Sequence, residues 1–596
     1  MNRITIKYFY LSITFILILS LLPKRAFSQT NVVIDSEVKH QKIEGWGVSL
    51  SWWANLAGGM GDDVVEELAE YAVNDLNLNV FRFNIAGGEN PNCTEGDHFR
   101  KDGALIPNYR SPHADNEGWG TYDLTRDVRQ ITVMKKIAEL RAQKGDIITE
   151  MISYSPPWWM THGQCSAGNI SATSENLKPE FIDDFADYLV SATKGLDITY
   201  PSWNISYIVP FNEPTSGFWK KGGRQEGSAI YPSTQAQVLW RLWQRKNDLG
   251  LSSDIRFSGS DNSKVTSAIS NMSAVRNNHF NEYNALAKIT THSYGGTWQD
   301  KAELATFAKN NGDKSIWQTE TGPLSWQRNG RDWSARHYDM AYRLIEDLRN
   351  LKATVWCDWQ LMSRDDGWGM IHQTNWDENN PYNEPVFNKT RGFYLRKIIT
   401  NHIKVGYDII NSNNGSTIAA VSPDGNEVVV VVVNNGASSK SYNIDLSRFS
   451  NINSFKTYRT SGLRASEGEN AVERNINSIT QKGVLSDSKI RYDAKSYSLT
   501  TFVIDVSAPL SNEELSKDKL TVFPIPFTTY CTFKFSRLLS NGKLIIYDIS
   551  GKVVREVSEI NGKEIVIKRG ALKSGVYFSK LVENSKILAD GKLSIK

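Results

Sequence analysis

The sequence predicts an α/β protein: a (β/α)8 TIM barrel with an all-β side sandwich, followed by a second, C-terminal β-sandwich. Three observations carry that reading. From Gly45 to about Thr400, short β-rich runs alternate with stretches of helical period, the pattern of repeated βα units around a parallel sheet. After about Val405 the helical period stops, and short alternating runs follow one another around turn signals. The length, 596 residues, suits about three domains at roughly 100–200 residues each, with barrels running longer than average.

Taken in order, residues 1–28 read as a signal peptide. Lys7 lies in a short basic segment, Leu11 to Leu22 is apolar but too short to span a bilayer, and Ala26-Phe27-Ser28 places small residues where a signal peptidase cuts. No later stretch is apolar enough to cross a membrane, so a secreted or cell-surface protein is expected. Export permits disulfides among the four cysteines. Cys93 and Cys165 lie in polar loops and could pair, whereas Cys357 sits in an apolar strand run and Cys531 far away in another domain.

Residues 31–44 are expected to add a strand to the side sandwich, and residues 45–402 to form the barrel. The eight strand candidates are Gly45 to Leu50, Val80 to Asn84, Ile147 to Ser153, Ile205 to Phe211, Ile255 to Ser260, Ile289 to Ser293, Ser315 to Thr319 and Thr354 to Trp359. Helical stretches between them include Asp62 to Leu76, Thr125 to Gln143, Glu180 to Thr193, Thr234 to Leu249 and Ala335 to Leu351. Residues 403–506 complete the side sandwich, with a hairpin turning at Pro423-Asp424-Gly425. Residues 507–517 read as a polar linker, and residues 518–596 as a β-rich domain without helical period.

Composition narrows the function. With 68 Lys+Arg against 65 Asp+Glu the net charge is +3, and no basic tract stands out, which disfavours a nucleic-acid partner. The 18 Trp are unusual; flat apolar rings suit a surface that stacks on sugar faces, although a Trp-rich core accounts for part of them.

In a barrel of this kind chemistry sits at the C-terminal ends of strands. The fourth strand ends in Asn212-Glu213-Pro214 and the seventh in Glu320-Thr321-Gly322. Either glutamate alone would more often be a solvated surface residue. Two together, at the mouth of one aromatic-rich barrel, supply what glycoside cleavage needs: one carboxyl to protonate the leaving oxygen and one to attack or to activate water.

These residues resemble glycoside hydrolase family 30, within clan A. The supporting positions are Gly45-Trp46-Gly47, Arg82, Ser155-Pro156-Pro157-Trp158-Trp159-Met160, His292-Ser293-Tyr294 and Trp359-Gln360. The all-β domain, including the run Phe393-Tyr394 to Lys404-Val405-Gly406, looks like the family's side β-sandwich. The resemblance implies a retaining hydrolase with Glu213 as acid/base and Glu320 as nucleophile. It implies that Asn212 meets the sugar 2-OH, that Arg82 and Tyr294 keep Glu320 ionised, and that His292 lies at the site. Trp158, Trp159, Trp219 and Trp359, with Trp368, are expected as stacking platforms. No cofactor is called for, and no metal: the chain has no His-Glu-x-x-His and no paired Cys-x-x-Cys.

Ser49 to Asn55, Pro157 to Thr161 and Gln225-Glu226-Gly227 look like the branch that cleaves β-1,6-galactan side chains of arabinogalactan. Neighbouring branches use the same pair on β-1,6-glucan, glucuronoxylan or glucosylceramide. Loss of either glutamate would have favoured an inert glycan-binding protein, and both are present. Finally, Leu520 to Phe527, Leu544 to Lys552 and Ser574 to Phe578 look like the type A sorting domain of the type IX secretion system, with Ile525 where its motif usually has Asn. That resemblance implies the type IX secretion machinery as a partner, beside the polysaccharide or oligosaccharide substrate.

Overall fold

The first strand, β1 (Thr30–Lys42), stays outside the barrel, and the chain enters it at the next one. In the computed structural model, β2 (Gly45–Ser49), β3 (Val80–Asn84), β4 (Ile148–Ile152), β5 (Ile205–Val209), β6 (Arg256–Asn262), β7 (Leu286–His292), β8 (Ser315–Glu320) and β9 (Ala353–Asp358) close a parallel barrel in chain order. Closure is made by β9 on β2, with Trp356 paired to Trp46. Gly47 is required at this seam. A Cβ there would come within 2.5 Å of Cys357 Sγ and 2.6 Å of the Val80 carbonyl oxygen.

The structure describes residues 29–88, 90, 93, 127–223, 225–323, 333–364, 368–377, 380, 382–463, 473–474, 488–507, 520–583 and 586–596. The signal peptide expected over residues 1–28 and nearly all of the linker expected over 507–517 lie outside the described residues. Among those described, no helix is long and apolar enough to cross a membrane. The chain divides into two compact units, Met1–Val506 and Ser507–Lys596.

Helices Asp62–Glu70, Val128–Ala142, Ile182–Thr199, Pro232–Asp248, Val265–Asn278, Trp298–Asn310, Trp333–Glu346 and Arg391–Thr400 follow successive strands. Val265–Asn278 and Trp298–Asn310 escaped the periodicity reading because Ser, Thr, Asn and Lys break their apolar stripes. β7 starts three residues before the expected Ile289. The reason is Lys288, a charged residue that interrupts the apolar run yet is buried because Glu150 lies 2.8 Å from its ammonium. A small sheet of β10 (Met362–Ser363), β11 (Ile371–Gln373) and β12 (Phe387–Lys389) follows β9.

The side sheet is built from β1 with β13 (Asp408–Ser412), β14 (Thr417–Val421), β15 (Glu427–Asn434), β16 (Lys440–Asp445), β17 (Ser454–Ser461), β18 (Glu473–Arg474), β19 (Lys489–Ala494) and β20 (Ser498–Asp505). β1 joins its halves, antiparallel to β13 and parallel to β16. In β15 a run of six valines replaces polar alternation because both faces are covered. Val429, Val431 and Val433 belong to the core shared with the barrel, and Val428, Val430 and Val432 to the sandwich core with Tyr442, Ile444 and Phe502.

The second unit is a five-stranded sheet of β21 (Thr521–Phe523), β22 (Tyr530–Tyr547), β23 (Val553–Lys568), β24 (Gly575–Glu583) and β25 (Lys586–Ile595). It has a core of its own, centred on Phe527, Phe533, Leu544, Ile546, Leu581 and Leu593.

Candidate active site

Glu320 is the last residue of β8, while Asn212 and Glu213 follow β5 by a short extension. Glu213 takes a left-handed backbone, φ 48°, a conformation costing about 1–3 kcal/mol where the surroundings enforce it. They do so here: its N–H donates to the Asp261 carbonyl at 2.8 Å, and its own carbonyl accepts from the Trp219 indole at 2.8 Å. The turn aims the Glu213 carboxyl across the barrel mouth toward Glu320. One carboxylate oxygen of Glu213, one of Glu320 and a ring nitrogen of His292 all lie within 4.8 Å of one another.

The two carboxyls have different surroundings. Glu320 accepts from the Tyr294 hydroxyl at 3.0 Å and the Tyr154 hydroxyl at 3.2 Å, with the Arg82 guanidinium 3.7 Å away. Glu213 meets His292 Nδ1 at 2.9 Å. Burial and then the Glu213 charge push Glu320 up to about 7, while His292, Arg82 and the Tyr294 hydroxyl pull it down. Burial disfavours charge on His292, yet Glu320, Asp261 and Glu213 together overcome it and lift the imidazole to about 10. Both phenols are raised well above their ordinary value, by burial first and then by Glu320, so they remain donors.

Beneath the pair runs a buried charge network. Arg82 bonds Glu150 at 3.2 Å, the Asp261 carboxylate at close range, and the Thr319 carbonyl at 2.9 Å. Asp261 also accepts from the Thr319 hydroxyl at 2.7 Å, and its carboxyl is held well below the usual range, Arg82 and His292 outweighing burial. Three carboxylates around one guanidinium are tolerable only with this density of hydrogen bonds.

The cavity above has a volume of about 420 Å³ and is walled by Trp52, Tyr154, Phe218, Tyr294, Trp359 and Trp368. Asn212, Glu213 and Glu320 reach it among these rings, and the Asn212 amide oxygen has no partner among the described residues. Of the residues singled out in the sequence, Asn212, Glu213, Tyr294, Glu320, Trp359 and Trp368 therefore meet at one cavity. Arg82, His292, Trp158, Trp159 and Trp219 do not line it. Arg82 and His292 are fully buried below, where they can act only through the carboxylates. Trp219 is turned inward by its bond to the Glu213 carbonyl and packs on Gly227, and Trp158 and Trp159 pack edge to face. Sequence reasoning missed Tyr154, Glu150 and Asp261. The first two were visible only as residues at or within the third strand run, and Asp261 lies one residue past the expected end of the fifth.

The triad Glu213, His292 and Glu320 has a spacing that could seat a cation. His292 Nδ1 already meets Glu213 at 2.9 Å, however, and the Arg82 guanidinium 3.7 Å from Glu320 supplies positive charge, so hydrogen bonding accounts for the cluster. Cys93 and Cys165, the pair that could have formed a disulfide, are both buried and pack together with Ala167, but they are not bridged. A hydrogen bond to Cys93, then burial, raises the Cys165 thiol.

Residues 29–366, more than half of the chain, match the family model described as O-glycosyl hydrolase family 30. The chain belongs to this family. As a family 30 glycoside hydrolase it acts on glycans, and residues 521–596 match a second model, the secretion system C-terminal sorting domain, which marks it for handling by the type IX system and export to the cell surface or beyond. An endo-β-1,6-galactanase of Hypocrea rufa is 28% identical over 447 residues, covering 72% of this chain and 86% of that protein. An exo-β-1,6-galactobiohydrolase of Bifidobacterium longum is 21% identical, over 69% of this chain but only 34% of its own length. Among solved structures, the family 30 hydrolase resembles a conserved exported protein from Bacteroides fragilis (TM-score 0.61, 15% identity, covering 80% of this chain and all of the other). It also resembles the catalytic domain of the family 30 xylanase C from Talaromyces cellulolyticus (TM-score 0.56, 16% identity, 80% and 99%). At such identities the likeness is one of fold.

Proposed function

We propose that this family 30 hydrolase cleaves β-1,6-galactan side chains of arabinogalactan by double displacement, after export begun by the N-terminal 28 residues. Glu320 attacks the anomeric carbon as Glu213 gives its proton to the departing glycosidic oxygen, so one C–O bond forms as another breaks. Glu213 then takes a proton from water, whose oxygen displaces Glu320 and frees the sugar with its configuration retained. The observation that supports this mechanism is that one oxygen of each carboxyl lies within 4.8 Å of the other, a nearest approach that suits two carboxyls set close together. Retaining pairs stand about 5–5.5 Å apart, whereas inverting pairs need about 6.5–9.5 Å to admit a water.

The donors favour the same roles. Two phenol hydroxyls and a nearby guanidinium stabilise Glu320 as a carboxylate, the state a nucleophile needs. His292 holds Oε1 of Glu213, which leaves Oε2 to carry the proton. The Asn212 amide oxygen, without a partner among the described residues, is placed to bond a sugar hydroxyl, an interaction that strengthens as the ring flattens. For the substrate, support comes from the Hypocrea rufa galactanase, matched over most of its length. Initial products from β-1,6-galactan, β-1,6-glucan and glucuronoxylan, followed by proton NMR, test both parts. Release of β-anomeric galacto-oligosaccharides from galactan alone is expected. An α-anomer would refute the mechanism, and preference for another glycan the specificity.

A further inference from the structure

On the outside of the barrel, the helix Pro232–Asp248 carries Trp240 and Trp243 one turn apart, 41% and 46% exposed. Their rings are stacked, with centroids 5.3 Å apart and planes 20° from parallel. Among the described residues one other tryptophan, Trp298, is as exposed. A groove of about 440 Å³ opens beside Trp240, and none of its lining residues borders the catalytic cavity. Its walls come from three elements: Asp183 on the helix Ile182–Thr199, Gln237 and Arg241 beside Trp240, and His279, Asn281 and Glu282 at the connection into β7.

Two indoles left in water are costly unless something covers them, because each presents a large apolar face. The chemistry around them says what that is. Arg241 and Asp183 pair at 2.7 Å and are both about two-fifths exposed, so a guanidinium and a carboxylate stand side by side, and Glu282 on another wall adds a second carboxylate. Gln237 and Asn281 add exposed amides. An anion would meet the Asp183 and Glu282 carboxylates and a cation the Arg241 guanidinium, each repelled by a like charge. A neutral polyhydroxyl ligand is complementary to both: its hydroxyls accept from Arg241 and donate to Asp183, while its C–H face packs on the indole.

We infer that the Trp240 groove is a second, non-catalytic glycan site, which holds a neutral stretch of the same polysaccharide chain that the cavity cleaves. Bound there, a polymer is kept at high effective concentration near the cavity, an advantage that a substrate too short to reach both sites does not receive. The inference rests on membership of a glycoside hydrolase family and not on galactan as the substrate.

Affinity electrophoresis of the full chain tests it, in gels containing whichever of β-1,6-galactan, β-1,6-glucan or glucuronoxylan the wild type cleaves, in a Glu213→Ala background that prevents digestion. Adding Trp240→Ala and Trp243→Ala should weaken retention about 3- to 10-fold, while in the active background kcat/KM on a short aryl glycoside stays unchanged. Gln237→Lys, which keeps both indoles but puts a charge in the groove, should weaken retention in the same direction. Unchanged retention in both variants would overturn the site. So would a wild-type dimer that dissociates on the double substitution in sedimentation, since the rings would then be a self-association surface.

Discussion

The different surroundings of the two carboxyls make separate predictions for each. Glu213→Ala should lower kcat/KM on galactan by about 10²–10⁴-fold, because an alkoxide leaving group needs its proton, yet spare glycosyl-enzyme formation from an activated aryl glycoside. Azide admitted to the vacated space should then yield a β-glycosyl azide. Glu320→Ala removes the nucleophile, so azide should give the α-product by one inversion. Chromatography of the two azides checks this, and exchanged stereochemistry would reverse the roles. The pH profile follows from Glu320, whose pKa is raised to about 7. Activity needs its ionised form, so kcat/KM should fall as pH drops below about 7. Because the Tyr294 hydroxyl favours that form, Tyr294→Phe should move the acid limb to higher pH. For stability the sign differs. His292 is raised to about 10, so its stabilising charge is fully present below its ordinary value of 6.5 and lost as pH rises through about 10.

At the scale of elements, the strand ends that carry chemistry are held by buried ion pairs as well as by the barrel ladder. Arg396, on the helix Arg391–Thr400, grips Asp358 at the end of β9 through two bonds of 2.8 and 2.9 Å and covers the Trp356 ring. Both side chains are almost wholly buried. Asp358→Ala should therefore cost about 3–5 kcal/mol, mostly because it strands the guanidinium, whereas Asp358→Leu with Arg396→Leu should recover much of that loss. Urea unfolding checks the pair; an additive double variant would show that the two residues are not coupled. Trp359 follows Asp358 directly and walls the cavity, so the single substitution should also raise KM.

For the molecule as a whole, the C-terminal unit has a core of its own, and the described residues that line the catalytic cavity belong to the first unit. A chain ending at residue 507 should keep its kcat and KM on soluble substrate while losing surface delivery, as measured by assay of the purified protein and by cell fractionation. A large loss of activity would contradict that division of labour. Cys93 and Cys165, unbridged but packed together, are placed to close a bridge on oxidation: after oxidising treatment, thiol titration in denaturant without reductant should count two, from Cys357 and Cys531. Four would exclude a bridge.

By itself the sequence determined the eight barrel strands, the pair Glu213 and Glu320 at strand ends, and the change to β-sandwich texture after the barrel. Each is a local signal: an apolar run with its boundary, or a carboxylate just beyond one. Even the valines of β15 declared a strand, although only packing showed that both of its faces are buried. The tertiary structure alone decided what surrounds the pair. Arg82 meets Glu150 and Asp261 across 68 and 179 residues of chain, and Tyr154 meets Glu320 across 166. No periodicity records such partners, because a buried charge is stabilised by groups that reach it through space. For the same reason Arg82 and His292, which the sequence placed at the site without their partners, lie beneath the cavity floor, while Trp240 and Trp243, unremarkable in a helical run, stand together on the surface.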